Sequence, residues 1–119
     1  MEDQRKILGA HGEQLAVAFC LERGFTIVAR NWRCRLGEID LIAKKDDVIH
    51  FIEVKTRRRL SYGRPEEAID GLKLSHLERT IEAYMAAAKE TYRGYQADAL
   101  AITVRPDGTA QYYFVERIL

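Results

Sequence analysis

The sequence lacks several features that would assign it to a special class. It has only two cysteines, Cys20 and Cys34, among 119 residues, and they form neither a disulfide framework nor a CxxC or Cys/His zinc cluster. No stretch approaches the roughly 18 apolar residues of a membrane span, and the charged N-terminus is unlike a secretory signal. We therefore expect one cytoplasmic domain over residues 1–119, because this length suits one hydrophobic core and not two.

Charge of one sign is also not in excess, since 19 basic residues nearly balance 18 acidic ones. The distribution is nevertheless uneven. Two groups of basic residues lie apart from acidic ones, and they are Arg30, Arg33 and Arg35, then Lys55, Arg57, Arg58, Arg59 and Arg64. They are either two solvated loops or an electrostatic footprint for phosphate groups. The charge pattern alone leaves both interpretations open.

The hydrophobic pattern predicts an α/β (α+β) fold in the order helix, three strands, helices and two strands. A helix is predicted over at least residues 12–22, with Gly24 as its stop. Pro65 is predicted to begin a second helical region, which breaks near Gly71 and restarts at a capping box that begins at Ser75. The predicted strands cover residues 25–29, 38–44, 48–56, 97–104 and 110–118. Scattered histidines (His11, His50 and His76) are not expected to form a site.

The first predicted hairpin carries the strongest chemical signal. If residues 46–47 form a two-residue turn, the numbers of paired residues sum to 93. That register places Asp40 opposite Glu53 and Glu38 opposite Lys55, on one face of the sheet. Two carboxylates about 5 Å apart repel each other by on the order of 3 kcal/mol at an effective dielectric near 20. Such a pair needs an opposite charge to offset the repulsion.

A divalent cation is one way to supply that charge. Glu38, Asp40, Glu53 and Lys55 together carry a formal charge of −2, and hard cations such as Mg²⁺ bind one or two carboxylates plus phosphate oxygens. A surface hairpin with cross-strand ion pairs is the alternative. It accounts for Glu38 with Lys55 but poorly for Asp40 facing Glu53. The pattern therefore favours a metal site at which Lys55 stabilises developing charge.

Asp40 followed by Glu53-Val54-Lys55 resembles the signature of the PD-(D/E)xK nucleases, the restriction-endonuclease-like superfamily. The proline of that signature is absent, because Ile39 precedes the aspartate. A closer resemblance, over nearly the whole chain, is to the bacterial YraN family, which is related to archaeal Holliday-junction resolvases. It is carried by Gly12-Glu13, Asn31-Trp32-Arg33, residues 37–42 (GEIDLI), residues 51–57 (FIEVKTR), residues 63–68 and Lys73. The family's late Arg-Phe-Asp is Gln96-Ala97-Asp98 here.

The resemblance implies a restriction-endonuclease-like core with a mixed central sheet, in the order α-β-β-β-α-β-β. It also implies Mg²⁺ or Mn²⁺ held by Asp40 and Glu53, with Lys55 as the catalytic lysine. Glu13 is either an accessory ligand or base, or an ordinary helix acid. Glu38 either joins the metal shell or pairs with Lys55.

Three functions remain as hypotheses. The first is a metal-dependent nuclease that acts on structured DNA, in recombination or repair, with phosphates bound by Arg33, Arg35, Arg57, Arg58, Arg59, Arg64 and Lys73. The second is a nucleic-acid-binding module of the same fold that does not cleave. The third is a structural or partner-binding protein. We expect nucleic acid, DNA in preference to RNA, as the partner, no membrane, and a homodimer by analogy with resolvases.

Overall fold

The computed structural model describes residues 3–58, 64–70, 72, 74–89 and 91–119. Its elements follow one another along the chain as α1 (Gln4–Glu22), β1 (Thr26–Cys34), β2 (Gly37–Lys45), β3 (Val48–Arg58), α2 (Pro65–Asp70), α3 (Leu74–Ala87), β4 (Gly94–Val104) and β5 (Ala110–Val115). The predicted order of helices and strands is confirmed, including the break between α2 and α3. Among the described residues, no helix is both long and apolar enough to span a membrane.

The five strands form one mixed sheet in the order β1-β2-β3-β4-β5. Neighbouring strands are antiparallel except β3 and β4, which are parallel because α2 and α3 carry the chain across between them. Helix α1 packs on one face of the sheet against Leu41, Ile52 and Leu100. Helix α3 packs on the other face against Ile42 and Phe51. Alternation of side chains along the strands thus divides the core into two layers.

Several boundaries differ from the predicted ones. Helix α1 begins at Gln4, eight residues before the predicted stretch, because Asp3 caps it by accepting a hydrogen bond from the Arg5 N–H at 2.9 Å. The first turns contribute no buried apolar side chain, so the hydrophobic pattern does not reveal them. Helix α3 begins at Leu74, which places Ser75 inside the helix, and the predicted cap at Ser75 is therefore wrong.

Cys20, on α1, is fully buried in the layer between this helix and the sheet. Burial, and to a lesser extent the charge of Asp98, raises the pKa of its thiol to about 11. The thiolate is the reactive form of cysteine, and it is disfavoured here. Cys20 is therefore a small core residue.

The hairpin between β2 and β3 has the predicted register. Asp46 and Asp47 form its turn with φ angles of 51° and 64°, and the paired residues run from Lys45 with Val48 to Leu41 with Ile52. The ladder ends there. Beyond it, β2 stays paired with β1 while β3 stays paired with β4 as far as Arg58. The two strands of the hairpin therefore separate at the residues that carry the chemical signal.

Candidate active site

Asp40 lies at the point where β2 and β3 separate. Its Oδ2 accepts a hydrogen bond from the Val54 N–H at 2.8 Å. This carboxylate therefore takes the place of the backbone acceptor that β2 would supply if the ladder continued. As a result, the regular cross-strand pair of Asp40 and Glu53 that the sequence predicts is not formed. The two acids instead line neighbouring clefts.

The Asp40 cleft lies beside α1 and has a volume of about 270 Å³. Glu13, Asp40, Lys55 and Thr56 contribute to its wall. Helix α1 approaches β3 very closely here, because a Cβ atom at Gly12 would overlap the side chain of Thr56. This close approach explains the Gly12-Glu13 motif, since it brings the next residue, Glu13, to the cleft. The Glu13 carboxylate is held there by a hydrogen bond.

Glu13 is held by a residue of unusual backbone conformation. Its Oε2 accepts a hydrogen bond from Nδ2 of Asn31 at 3.1 Å. Asn31 has a positive φ of 51°, which asparagine tolerates better than most residues. The two motifs Gly12-Glu13 and Asn31-Trp32-Arg33 thus meet through this bond. Glu13 is placed beside Asp40 as the resemblance implies, in a position to support it.

The Glu53 cleft lies beside α3 and has a volume of about 310 Å³. Glu38, Glu53 and Lys55 line it from the sheet, and His76 and Thr80 line it from α3. Lys55 is exposed and belongs to both clefts. The two clefts therefore adjoin at Lys55, with Asp40 on one side and Glu53 on the other. The predicted pairing of Glu38 with Lys55 is wrong, because Glu38 forms its ion pair with Arg33 at 3.0 Å.

The pKa of Glu53 is raised from 4.5 to about 7. Burial is the largest cause, and the charge of Asp40 is the second, while Lys55 partly offsets both. The pKa of Asp40 is also raised, first by burial and also by Glu38 and Glu13, against the hydrogen bond from Val54. The influence of Asp40 on Glu53 shows that the two carboxylates remain close neighbours, although they line different clefts.

One oxygen of Glu53 is unsatisfied. Its Oε1 is buried and has no hydrogen-bond partner. A buried carboxylate oxygen without a donor costs about 1–3 kcal/mol or more. Glu66 Oε2 has the same property, but it lies 3.6 Å from Nε of Arg64, which supplies a positive charge. Glu53 has no such ion pair among the described residues. Its Oε1 is therefore the better candidate of the two for contact with a ligand.

The predicted metal ligands do not form a closed three-acid cluster. Among the residues that the structure describes, the set of ligand-type side chains that converges within 4.8 Å is His50, Asp98 and Glu116, at another place in the fold. Asp40 and Glu53 can therefore supply two carboxylates from adjoining clefts. That number is sufficient for Mg²⁺ or Mn²⁺ when water and phosphate oxygens complete the coordination.

The predicted phosphate-binding arginines fall into two groups. Arg33 and the exposed Arg35 lie at the end of the β1–β2 hairpin, which also contributes Gly37 to the Glu53 cleft. Arg57 and Arg58 lie at the end of β3, where Arg57 donates to Thr103 and Arg58 donates to Gln4. Both groups therefore flank the two clefts.

The remaining predicted phosphate contacts are Arg59, Arg64 and Lys73. Arg64 is exposed and lies near Glu66. Arg59 and Lys73 lie outside the described residues.

Sequence reasoning missed Arg5, which lines the Asp40 cleft, and His76 and Thr80, which line the Glu53 cleft. Arg5 could have been found, because residues 5, 9 and 13 are spaced at i, i+4 and i+8 and so share one face of a helix. His76 and Thr80 have the same i, i+4 spacing. Nothing in the sequence indicates, however, which side of α3 faces β3.

Comparison with known proteins identifies relatives across most of the chain. A sequence model of a family described as "Uncharacterised protein family UPF0102" matches residues 12–102. A UPF0102 protein of Nocardia farcinica is 41% identical over 102 residues, which cover 86% of this chain and 80% of that protein. A UPF0102 protein of Dictyoglomus thermophilum is 39% identical over 103 residues, with 87% of each chain covered. The residues matched by the family model include Glu13, Asp40, Glu53 and Lys55, whereas Arg5 and Glu116 lie outside them.

A third relative extends the comparison. A UPF0102 protein of Caldicellulosiruptor saccharolyticus is 43% identical over 98 residues, which cover 82% of this chain and 83% of that protein. The resemblance to the YraN family drawn from the motifs is thereby confirmed. The protein belongs to the uncharacterised protein family UPF0102, the YraN family.

Proposed function

We propose that this protein is a metal-dependent phosphodiester hydrolase that acts on nucleic acid, with structured DNA as the preferred substrate. The observation that carries the proposal is the half-buried Glu53 carboxylate, which has one buried oxygen without a partner and a pKa raised to about 7 beside Asp40. An environment that destabilises an ionised acid costs folding free energy, and a ligand that binds the carboxylate can offset this cost. A divalent cation is the ligand that suits two neighbouring carboxylates.

The donor set is compatible with such a cation. Asp40 and Glu53 would hold it, and Glu38 and Glu13 add negative charge nearby while bound to Arg33 and Asn31. Hard oxygen donors of this kind select Mg²⁺ or Mn²⁺ over softer metals. A bound cation would supply Lewis-acid polarisation of the phosphate and a lowered pKa of water.

Lys55 is the residue of this chain that is best placed to act on the substrate. It lines both clefts, and it forms no ion pair within 4.0 Å with any described residue. An ammonium group in this position can contact a phosphate oxygen and stabilise the negative charge that develops on it. Glu13 holds Asn31 and faces the same cleft as Asp40, so in this proposal it is a positioning residue.

Basic side chains around the clefts support nucleic acid as the substrate. Arg5 lines the Asp40 cleft, Arg57 and Arg58 continue β3 beyond Lys55, and Arg33 and Arg35 lie on the neighbouring hairpin. Phosphate groups bound along this path would pass Lys55. The proposal includes a cytoplasmic location, a single domain over residues 1–119 and a homodimer, which suits a symmetric DNA junction.

The test is cleavage of labelled four-way junction, single-stranded and duplex DNA and of RNA, with Mg²⁺ or Mn²⁺ and with EDTA. We expect metal-dependent cleavage that falls by about 10²-fold or more in Glu53→Gln and in Lys55→Met, since each change removes charge from the reacting centre. Glu82→Gln and Lys89→Met, both on exposed residues outside the clefts, are the matched controls. Cleavage that persists in Glu53→Gln would contradict the proposal.

The second candidate is a nucleic-acid-binding module that does not cleave. One observation favours it: without a cation, Glu53 is about half protonated at pH 7 and Asp40 is already bound to Val54. This candidate predicts salt-dependent binding of nucleic acid that is unchanged in Glu53→Gln. Binding without cleavage of any substrate in the panel, at every metal concentration, would select it over the hydrolase.

A further inference from the structure

A second pocket lies at the opposite end of α1 from the Asp40 cleft. Its volume is about 350 Å³, and four cationic side chains line it. They come from the residue after α1, the end of β2, the residue before β4 and the chain after β5. They are Arg23, Lys45, Arg93 and Arg117. We call this the basic pocket. Arg23 lies ten residues after Glu13 on α1, which corresponds to about 15 Å along a helix, so the two sites are separate.

The four cations of the basic pocket are not neutralised by partners. None of them forms an ion pair within 4.0 Å in the part of the chain that the structure describes. Arg23 instead lies over the ring of Phe19 at 4.3 Å. Lys45 lies 5.2 Å from the ring centroid of Phe25. Stacking of this kind leaves the charge available to a ligand, because the aromatic ring carries no countercharge.

Arg93 and Arg117 are held by main-chain contacts. Arg93 donates from its side chain to the Asp46 carbonyl at 3.2 Å, and its N–H donates to the Asp47 carbonyl at 3.0 Å. Arg117 has a positive φ of 58°, a strained conformation for arginine, and its N–H donates to Oδ1 of Asp98 at 3.1 Å. The contacts thus fix the backbone at both arginines.

The floor of the pocket is a buried histidine–aspartate pair. Nδ1 of His50 lies 2.6 Å from Oδ2 of Asp98, and the two side chains are 7% and 0% exposed. Oδ1 of Asp98 accepts from Nε2 of Gln96 at 2.8 Å and from the Arg117 N–H. Because Nδ1 of His50 is engaged by Asp98, Nε2 is the ring nitrogen left for a ligand.

A metal ion is the alternative occupant, because one ligand-type atom from each of His50, Asp98 and Glu116 lies within 4.8 Å of the other two. The hydrogen bonds argue against it. Gln96 donates to both Asp98 and Glu116, and Nδ1 of His50 is already bound, so a cation would have to displace these contacts. A cation would also face the four unpaired positive side chains, against three acids, Asp46 and Glu116 in the wall and Asp98 beneath His50. The surplus of positive charge favours an anion.

We propose that the basic pocket is a binding site for a phosphate monoester, with the cationic side chains as donors to the phosphate oxygens and His50 Nε2 as a further contact. A larger pocket of about 630 Å³ adjoins it and shares Arg93, Gln96 and Arg117 with it. The exposed ring of Tyr95 lines that larger pocket. A phosphorylated ligand of nucleotide size therefore has room for its phosphate in one pocket and a planar group in the other.

The test uses the whole protein in EDTA, so that divalent cations play no part. Titration calorimetry with inorganic phosphate, a nucleoside monophosphate and short oligonucleotides with and without a 5′-phosphate distinguishes a free nucleotide from a nucleic-acid end. We expect saturable binding that needs the monoester and weakens at least about tenfold in Arg93→Gln/Arg117→Gln, because charge-assisted hydrogen bonds are lost. Arg79→Gln, on the exposed surface of α3, is the matched control and should bind as the wild type does.

His50→Asn tests the floor separately, since asparagine can still donate to Asp98 but lacks Nε2. We expect weaker phosphate binding in a variant that still unfolds cooperatively, at a melting temperature lowered by loss of the ring contact with Phe25. We also expect a phosphate-induced change in the ¹⁵N shift of Nε2 in the wild type. Glu53→Gln should leave phosphate binding unchanged, which keeps this proposal distinct from the hydrolase. Absence of saturable binding or equal affinity in the double variant would overturn it. So would tight Zn²⁺ binding in a separate titration without EDTA, if His50→Asn abolishes it and phosphate does not bind.

Discussion

Two carboxylates on neighbouring parallel strands, the buried Asp98 and the half-buried Glu53, differ in how they are satisfied. Asp98, on β4, accepts three hydrogen bonds, from His50, Gln96 and the Arg117 N–H. Glu53, on β3, has a buried oxygen with no partner and a pKa raised to about 7. A satisfied buried acid stabilises the fold, whereas an unsatisfied one is a cost that a ligand can remove. The contrast supports the proposal that Glu53 binds a ligand, whereas Asp98 supports the fold.

The largest effect is expected from Asp98→Ala. The change leaves a buried donor on His50 and partly buried donors on Gln96 and Arg117 without their acceptor. We expect the free energy of unfolding to fall by about 3–5 kcal/mol, the usual loss when one partner of a buried charged network is removed. Urea unfolding at pH 7 measures it. The matched change Asp98→Asn keeps an acceptor oxygen and should cost about 1–2 kcal/mol, and a loss below that in Asp98→Ala would remove the contrast.

Gly12→Ala is expected to affect the surroundings of Asp40 but not those of His50. The added Cβ overlaps Thr56, so α1 must move away from β3 near Glu13. We expect a loss of about 1–3 kcal/mol in the free energy of unfolding, as for other overpacked contacts. Hydrogen exchange should quicken around Asp40 and Val54 and stay unchanged around His50. Gly9→Ala is the control, because a Cβ at Gly9 meets no atom within 4 Å. Equal stability of the two variants would contradict the close approach.

Glu53→Gln is expected to stabilise the protein when no cation is present. Because the pKa of Glu53 is raised in the folded state, its protonated form favours folding below pH 4.5, and this contribution is lost as pH rises through about 7. Glutamine does not ionise. The variant should therefore be more stable than the wild type by about 1–3 kcal/mol at pH 8 and nearly equal at pH 4. Urea unfolding across this pH range in EDTA measures the difference.

The same pH series can also contradict the raised pKa of Glu53. If the free energies of unfolding of the wild type and Glu53→Gln stay parallel from pH 4 to pH 8, the buried carboxylate carries no ionisation cost. The Glu82→Gln control should run parallel to the wild type, because Glu82 is exposed on α3.

Much of the fold follows from local sequence patterns. The alternation in residues 38–44 and 48–56 and the Asp46-Asp47 turn predict the hairpin register correctly, because side chains on a strand alternate with a period of two. The same rule fails at Asp40. It assumes that the ladder continues, whereas the β2–β3 pairing stops at Leu41 and Ile52. Where two strands separate depends on their outer partners, β1 and β4, and a pattern within the hairpin does not contain that information.

The positions of the candidate site residues were predicted in part for the same reason. Asp40, Glu53, Lys55 and Glu13 are brought to adjoining clefts, since motifs within one hairpin and one helix place them. The ion pair of Glu38 with Arg33 depends on the β1–β2 register, which a bulge between Ile27 and Ala29 shifts. The basic pocket was not predicted at all. Its residues come from five separate segments, and a histidine pairs with an aspartate 48 residues away.

The most direct test of the account is calorimetric titration of Mn²⁺ into the wild type, Glu53→Gln and Asp40→Asn at pH 6.5, in two buffers that differ in ionisation enthalpy. The account predicts one cation per chain in the wild type, with release of a fraction of a proton as Glu53 ionises. It also predicts binding weakened by about tenfold or more in each variant and unchanged in Glu82→Gln. No binding at millimolar Mn²⁺, or equal binding in all four proteins without proton release, would contradict the claim that Glu53 is a metal ligand.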